Sequence, residues 1–224
     1  MPKSNLRSRR ARKLDRKQGS RPPYSLVLIV CEGEKTEPNY FEEIRQKWRI
    51  PALNWVIIPS ELGTGPEKVV EYAELKARQE GRWEEVYCVF DRDDHQHYAN
   101  AISKAQSING KIKTKGREGV AITFMAIPSD PCFELWFLIH FQPITREEHR
   151  DEILRLLKTC MPGYTKGCRG MFGLTLADFA KACEHAELLR QRKQQTGNSN
   201  PSTDVDILVL RLNEIGKMNP YYRP

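Results

Sequence analysis

Ser25–Cys31, SLVLIVC, is an unbroken apolar run set between Pro22–Pro23 and Glu32–Gly33. The polar/apolar alternation of a strand with one wet face is missing. The run therefore reads as a strand buried on both faces, as in a parallel sheet. Helix-patterned segments then alternate with further runs of this kind. Thr36-Glu37-Pro38 offers a capping residue and a first-turn proline, after which Phe41, Ile44 and Trp48 recur on one face. Asn54–Pro59 is a second strand, and Gly63-Thr64-Gly65-Pro66 leads into a helix with Val70, Ala73 and Ala77 on one side. Glu85–Phe90 is a third strand ending at Asp91; a helix over Tyr98–Ser107, a basic turn Lys111–Arg117 and a fourth strand Val120–Ile127 follow. Strands alternating with helices imply right-handed crossovers. The expected fold is α/β: a parallel four-stranded sheet, order 2-1-3-4, flanked by helices.

After Pro128 the pattern turns helical. Pro131–Phe141, Thr145–Cys160, Thr175–Gln194 and Thr203–Gly216 read as helices, with Gln195–Ser202 a polar loop. The expected organisation is a single α/β domain over residues 22–224, its helical C-terminal extension (about 131–224) packed on the sheet. Residues 1–21 form a separate basic arm without fixed structure.

Charge is concentrated in that arm. Residues 1–21 hold nine of the 36 Lys and Arg and only Asp15 among the 29 acids; the remaining 27 basic residues stand against 28 acidic. Such an arm suits contact with nucleic-acid phosphates, a solvated terminus, or a thin-faced helix around Leu6, Ala11 and Leu14. No apolar segment follows it as in a secretion signal, and the longest apolar stretches fall short of the ~20 residues a membrane span needs. The expectation is a cytoplasmic protein without membrane contact. The six cysteines lack CxxC spacing and read as reduced, mostly buried thiols. A zinc site from Cys160, Cys168, Cys183 and His185 would match no common spacing.

Acidic residues follow the apolar runs. Strand one ends in Cys31-Glu32-Gly33-Glu34 and strand three in Phe90-Asp91-Arg92-Asp93-Asp94. Ligands of open parallel sheets bind at the carboxyl ends of strands. Asp91 and Asp93 share one side of an extended chain. With strands one and three adjacent, Glu32 joins them, and carboxylates so placed repel unless a cation sits among them. Oxygen ligands suit Mg²⁺ or Mn²⁺. Taken singly, Glu32 and Glu34 would suit a helix N-terminus, and Asp91–Asp94 a solvated turn. A third acidic segment, Ser129-Asp130-Pro131-Cys132-Phe133-Glu134, puts Asp130 and Glu134 four apart on one helix face if Pro131 opens the helix. Glu134, set in an apolar run, needs a cation or hydrogen bonds. It is either a second-site metal ligand or an ion-pair partner.

Other motifs are thinner. Gly63–Pro66 lacks the Lys-Ser/Thr ending of a P-loop and reads as an ordinary turn. His95 and His97 read as solvated. No acyl-transfer signature is visible.

The chain resembles the RloB-like family of phage-defence proteins, within the wider Toprim group, from about Leu26 to Leu212. The resemblance is carried by Cys31-Glu-Gly-Glu-Lys-Thr-Glu-Pro-Asn-Tyr-Phe41, Phe90-Asp-Arg-Asp-Asp-His95, Pro131-Cys-Phe-Glu-Leu-Trp-Phe137 with His140-Phe141, Tyr164-Thr-Lys166 and Asn200-Pro-Ser-Thr-Asp204. The family pattern has Asn where this chain has Asp130. The resemblance implies a Toprim-like sheet and a Mg²⁺-dependent nuclease, acting beside an ABC-type ATPase partner in abortive infection. It assigns Glu32, Asp91 and Asp93 to metal. Related overcoming-lysogenization-defect nucleases add a second acid and a lysine, and Glu134 and Lys166 match those here. The expected activity is phosphodiester hydrolysis of nucleic acid. DNA, transfer RNA and other RNA all stay open as substrates, as does the oligomeric state. The basic arm and Lys111–Arg117 would contact the substrate backbone. The rival reading is a non-catalytic subunit that binds nucleic acid or its ATPase and keeps a structural metal only.

Overall fold

The computed structural model describes residues 25–52, 55–63, 65–93, 95–116 and 119–222. The basic arm 1–21, Asp94 and Arg117 lie outside the described residues.

Four parallel strands form the sheet: β1 (Val27–Cys31), β2 (Trp55–Pro59), β3 (Glu85–Asp91) and β4 (Thr123–Asp130). A fifth, β5 (Ser202–Thr203), pairs antiparallel with the end of β4, through Ser129 with Thr203 and Asp130 with Ser202. The order is β2-β1-β3-β4-β5. The expected 2-1-3-4 order holds, but the sheet has five strands rather than four.

Alternate strand residues feed two cores. Leu28, Val30, Val86, Cys88, Phe90 and Phe124 pack with α2 (Pro66–Glu80) and α3 (Tyr98–Ile108) on one face. Val27, Ile29, Cys31, Tyr87, Val89 and Ile127 pack on the other face. That face is covered by α1 (Thr36–Lys47), α4 (Glu134–Leu138), α5 (Arg150–Cys160), α6 (Met171–Thr175), α7 (Phe179–Thr196) and α8 (Val205–Lys217). Both faces are thus dry, which accounts for the unbroken apolar runs. The C-terminal helices share one hydrophobic core with β1 and β3.

Several boundaries differ from expectation. Val120–Ile122 turns back on the preceding basic turn, with Gly110 N donating to Ile122 O at 3.0 Å and Ile122 N to Ile112 O at 2.9 Å. β4 therefore starts at Thr123 and runs on to Asp130. A residue before proline disfavours helical backbone, so Asp130 stays in the strand and α4 begins only at Glu134, not at Pro131. The helix expected from Thr145 starts at Arg150, with the His149 side chain accepting from Asp151 N. The helix expected over Thr175–Gln194 is broken by a 3₁₀ turn, Leu176–Asp178, before α7. Thr36 is the first residue of α1 and does not cap it.

Candidate functional site

The parallel register sets Cys31 of β1 beside Val89 of β3. Glu32 N continues the ladder, donating to Val89 O at 2.9 Å. The Glu32 side chain then accepts from Asp91 N at 3.0 Å, and its other oxygen lies 3.3 Å from His95 Nε2. His95, expected to be solvated, instead reaches the acidic end of β1.

Asp91 and Asp93 face one cleft, while Arg92 between them points to Asp130. The turn is fixed against the end of β4: Arg92 N donates to Ser129 O at 2.8 Å and Asp93 N to Pro131 O at 3.1 Å. Asp93 has φ +37, a left-handed backbone that aspartate tolerates better than most side chains. Its Oδ2 meets Arg150 Nη1 from the first turn of α5.

Glu134 opens α4 and is 1% exposed. Its Oε1 accepts from Tyr164 Oη at 3.0 Å. Tyr164 belongs to a loop that α1 holds down. Thr36 Oγ1 accepts from Gly167 N at 3.1 Å, Asn39 Nδ2 donates to Gly167 O at 2.9 Å, and Glu43 accepts from Gly170 N and Phe172 N. This docking brings Lys166 into the cleft wall.

Glu37, a carboxylate that sequence reasoning did not assign to the site, also lines the cleft and is only 5% exposed. It sits in the first turn of α1, where a helix N-terminus favours negative charge, and that ordinary role concealed it. Burial pushes its pKa up to about 7, with the Glu134 and Glu32 charges adding to the rise and Lys166 opposing it. Gly33 makes room for it: a Cβ there would meet Glu37 Oε2 at 2.3 Å. Gly33 is not among the glycines with positive φ, so its role here is close approach.

The resulting cleft has a volume of about 350 Å³ and gathers Glu32, Glu37, Asp91, Asp93 and Glu134 with Arg150 and Lys166. Asp91 is pushed well above the usual carboxylate range by burial, and then by the charges of Glu37, Glu134, Glu32 and Asp93. Asp91 Oδ1 and Asp93 Oδ1 are buried without a hydrogen-bond partner. The carboxylates surround the cleft rather than meet at a point. Glu32 is turned to Asp91 N and His95, Asp93 to Arg150, and Glu134 to Tyr164. Among the described residues, no three Asp, Glu, His or Cys side chains converge closely enough to hold a metal ion as they stand. That includes the cysteine–histidine set Cys160, Cys168, Cys183 and His185; His185 Nδ1 is bonded to Ile139 O at 2.7 Å.

Asp130 lies elsewhere. At the end of β4 it accepts from Arg92 Nη1 at 2.8 Å and Ser199 Oγ at 2.5 Å, and it lines a neighbouring cavity. The expectation that it shares a helix face with Glu134 is corrected, because the chain between them is extended and then looped.

The molecule is thus an α/β protein whose acidic cleft stands at the carboxyl ends of β1 and β3. Residues 27–212 match the family model described as RloB-like protein, and the chain belongs to that family. No curated protein and no solved structure matches the chain. Among the described residues, no helix is long and apolar enough to cross a membrane.

Proposed function

We propose that the chain is a Toprim-type nuclease, dependent on Mg²⁺ or Mn²⁺, that hydrolyses nucleic-acid phosphodiesters in antiphage defence. The observation that carries this reading is the pair of buried, partnerless oxygens, Asp91 Oδ1 and Asp93 Oδ1, in a cleft lined by six carboxylates. Buried acceptors left unpaired are costly, and oxygen-only donors suit these hard cations. Glu32, Asp91 and Asp93 would hold one ion, and Glu134 with Glu37 a second. Bound there, such ions would supply an activated water and stabilise the leaving oxygen. Lys166 would meet the negative charge that grows on the phosphate. Tyr164 holds the Glu134 carboxylate in direction, and α1 holds the Lys166 loop against the cleft. Membership of the RloB-like family fits a defence role, and an ABC-type ATPase is the partner proposed.

The second reading, a non-catalytic subunit with a structural metal, is favoured by one observation: Arg150 and Tyr164 already partner Asp93 and Glu134. Purified full chain, incubated with Mg²⁺ or Mn²⁺ on plasmid and on total RNA, separates the two. New 5′ or 3′ ends that vanish with Glu32→Gln support the nuclease. No metal-dependent ends on either substrate would overturn it.

A further inference from the structure

A second and larger cavity, of about 540 Å³, adjoins the acidic cleft and shares Asp93 and Arg150 with it. Its size falls in the range of small-molecule pockets, roughly 300–1,000 Å³. Arg92, Tyr98, Asp130, Asn198 and Asn200 line it, with Arg150 at the junction.

The carboxylates of this wall are already matched. Asp130 is bound by Arg92 and Ser199, Glu148 by Arg146 at 2.6 Å, Glu147 by the Asn198 amide and Asp93 by Arg150. What remains is a surface of amide, carboxylate and guanidinium groups held in fixed directions, the kinds of partner that read the edge of a nucleobase. Asn200 is held rigidly, accepting from Glu148 N at 3.1 Å and donating to Glu148 O at 3.0 Å. Tyr98 adds an independent sign. It is only 7% exposed, and its hydroxyl is buried with no hydrogen-bond partner. Arg92 lies over its ring, 5.8 Å from the centroid.

Resting on the nuclease reading, we propose that this cavity takes one unpaired nucleotide of a single-stranded nucleic acid, with the adjoining phosphate on Arg150 at the mouth of the acidic cleft. A base inside a duplex cannot enter such a cavity unless it is extruded, whereas a single strand presents its base edges freely. The site therefore selects unpaired substrate by shape, ahead of any chemistry.

Ala99, exposed on α3, lines this cavity and is not among the residues lining the acidic cleft. Ala99→Trp fills the cavity, and Ala99→Ser is its control. The probe is a fluorescein-labelled strand of about a dozen nucleotides, as RNA and as DNA, alone and annealed to its complement. Anisotropy is read with the full chain in Ca²⁺ buffer. The expected result is tighter binding of the single strand than of the duplex. Ala99→Trp should weaken single-strand binding about tenfold or more, leave duplex binding unchanged, and leave the Mn²⁺-dependent rise in melting temperature as in the parent. If Ala99→Trp melts early, Gln96→Trp, on the exposed turn before α3, replaces it.

Undiminished single-strand binding by a folded cavity-filled variant would overturn the inference. So would a duplex held as tightly as the single strand, or a free nucleoside monophosphate that stabilises the fold where the strand does not bind. The two readings fail separately. Metal-dependent cleavage with no effect of Ala99→Trp on binding removes the cavity and keeps the nuclease. Loss of strand binding in Ala99→Trp, with no cleavage under any metal, does the reverse.

Discussion

The Glu37 carboxylate lies directly over Gly33, so close that a methyl group on Gly33 would stand 2.3 Å from Glu37 Oε2. Gly33→Ala introduces no left-handed strain, because this glycine is outside the positive-φ set. The carboxylate end of Glu37 is the part that must move. The metal-free melting temperature is expected to change little, while the stabilisation conferred by Mn²⁺ shrinks, as it must when a ligand is lost only from the folded state. Thermal melts with Mn²⁺ and with EDTA measure both. An unchanged Mn²⁺ response would remove Glu37 from the metal site.

The raised pKa of Glu37 fixes the sign of a pH effect. Its folded value is about 7 against 4.5 for the free side chain. Between those values the unfolded chain gives up the proton first, so stability falls as pH rises through this window, by on the order of 3 kcal/mol at most. Asp91, also raised, acts in the same direction. In EDTA the melting temperature is expected to drop from about pH 5 to about pH 8, and Glu37→Gln to flatten the drop. A profile that rises over this interval in both proteins would contradict the burial argument.

Glu134→Gln keeps the shape and still accepts from Tyr164 Oη, but removes the charge. Little stability should be lost in metal-free buffer, with a large loss of cleavage and of Mn²⁺ stabilisation. A melting temperature lowered equally with and without metal would mark Glu134 as a structural partner instead.

Much of this arrangement was legible in the sequence because it follows from periodicity. Unbroken apolar runs located β1 and β3, and acids at their ends followed from the fold class. Glu37 was not legible in the same way, since a carboxylate in a helix's first turn is ordinary. The available signal was that α1 starts five residues after β1, so its N-terminus must face the strand ends. β5 is two residues long in a polar segment and has no period to detect. Asp130 was misplaced because a proline can open a helix or hold its predecessor extended; pairing with β5 decided for the second.

Asp130 is expected to be structural. It is 1% exposed and bonded to Arg92 and Ser199. Asp130→Asn loses the charge but not the acceptor. The expected cost is about 1 kcal/mol, read as the same fall in melting temperature with and without Mn²⁺. A metal-dependent difference would bring Asp130 into the cleft chemistry.

Deleting residues 1–21 removes nine basic residues against one acidic. Binding to nucleic acid should weaken for every sequence tested, and the dependence of affinity on salt should flatten. Titrations at several salt concentrations check this. Identical slopes with and without the arm would return it to a solvated terminus.

Thr36, Asn39 and Glu43, which hold the Lys166 loop, precede their partners by 127 to 131 positions. A ribosome that has finished β4 has made Glu32, Asp91 and Asp93 but neither Tyr164 nor Lys166. At roughly 5–20 residues per second, several seconds of translation separate Asp93 from Lys166. A nascent chain therefore carries part of a cleft without Lys166 and, once Glu134 is made, an acid that Tyr164 does not yet steady. On the nuclease reading proposed above, the chain would thus be unarmed while still on the ribosome that makes it.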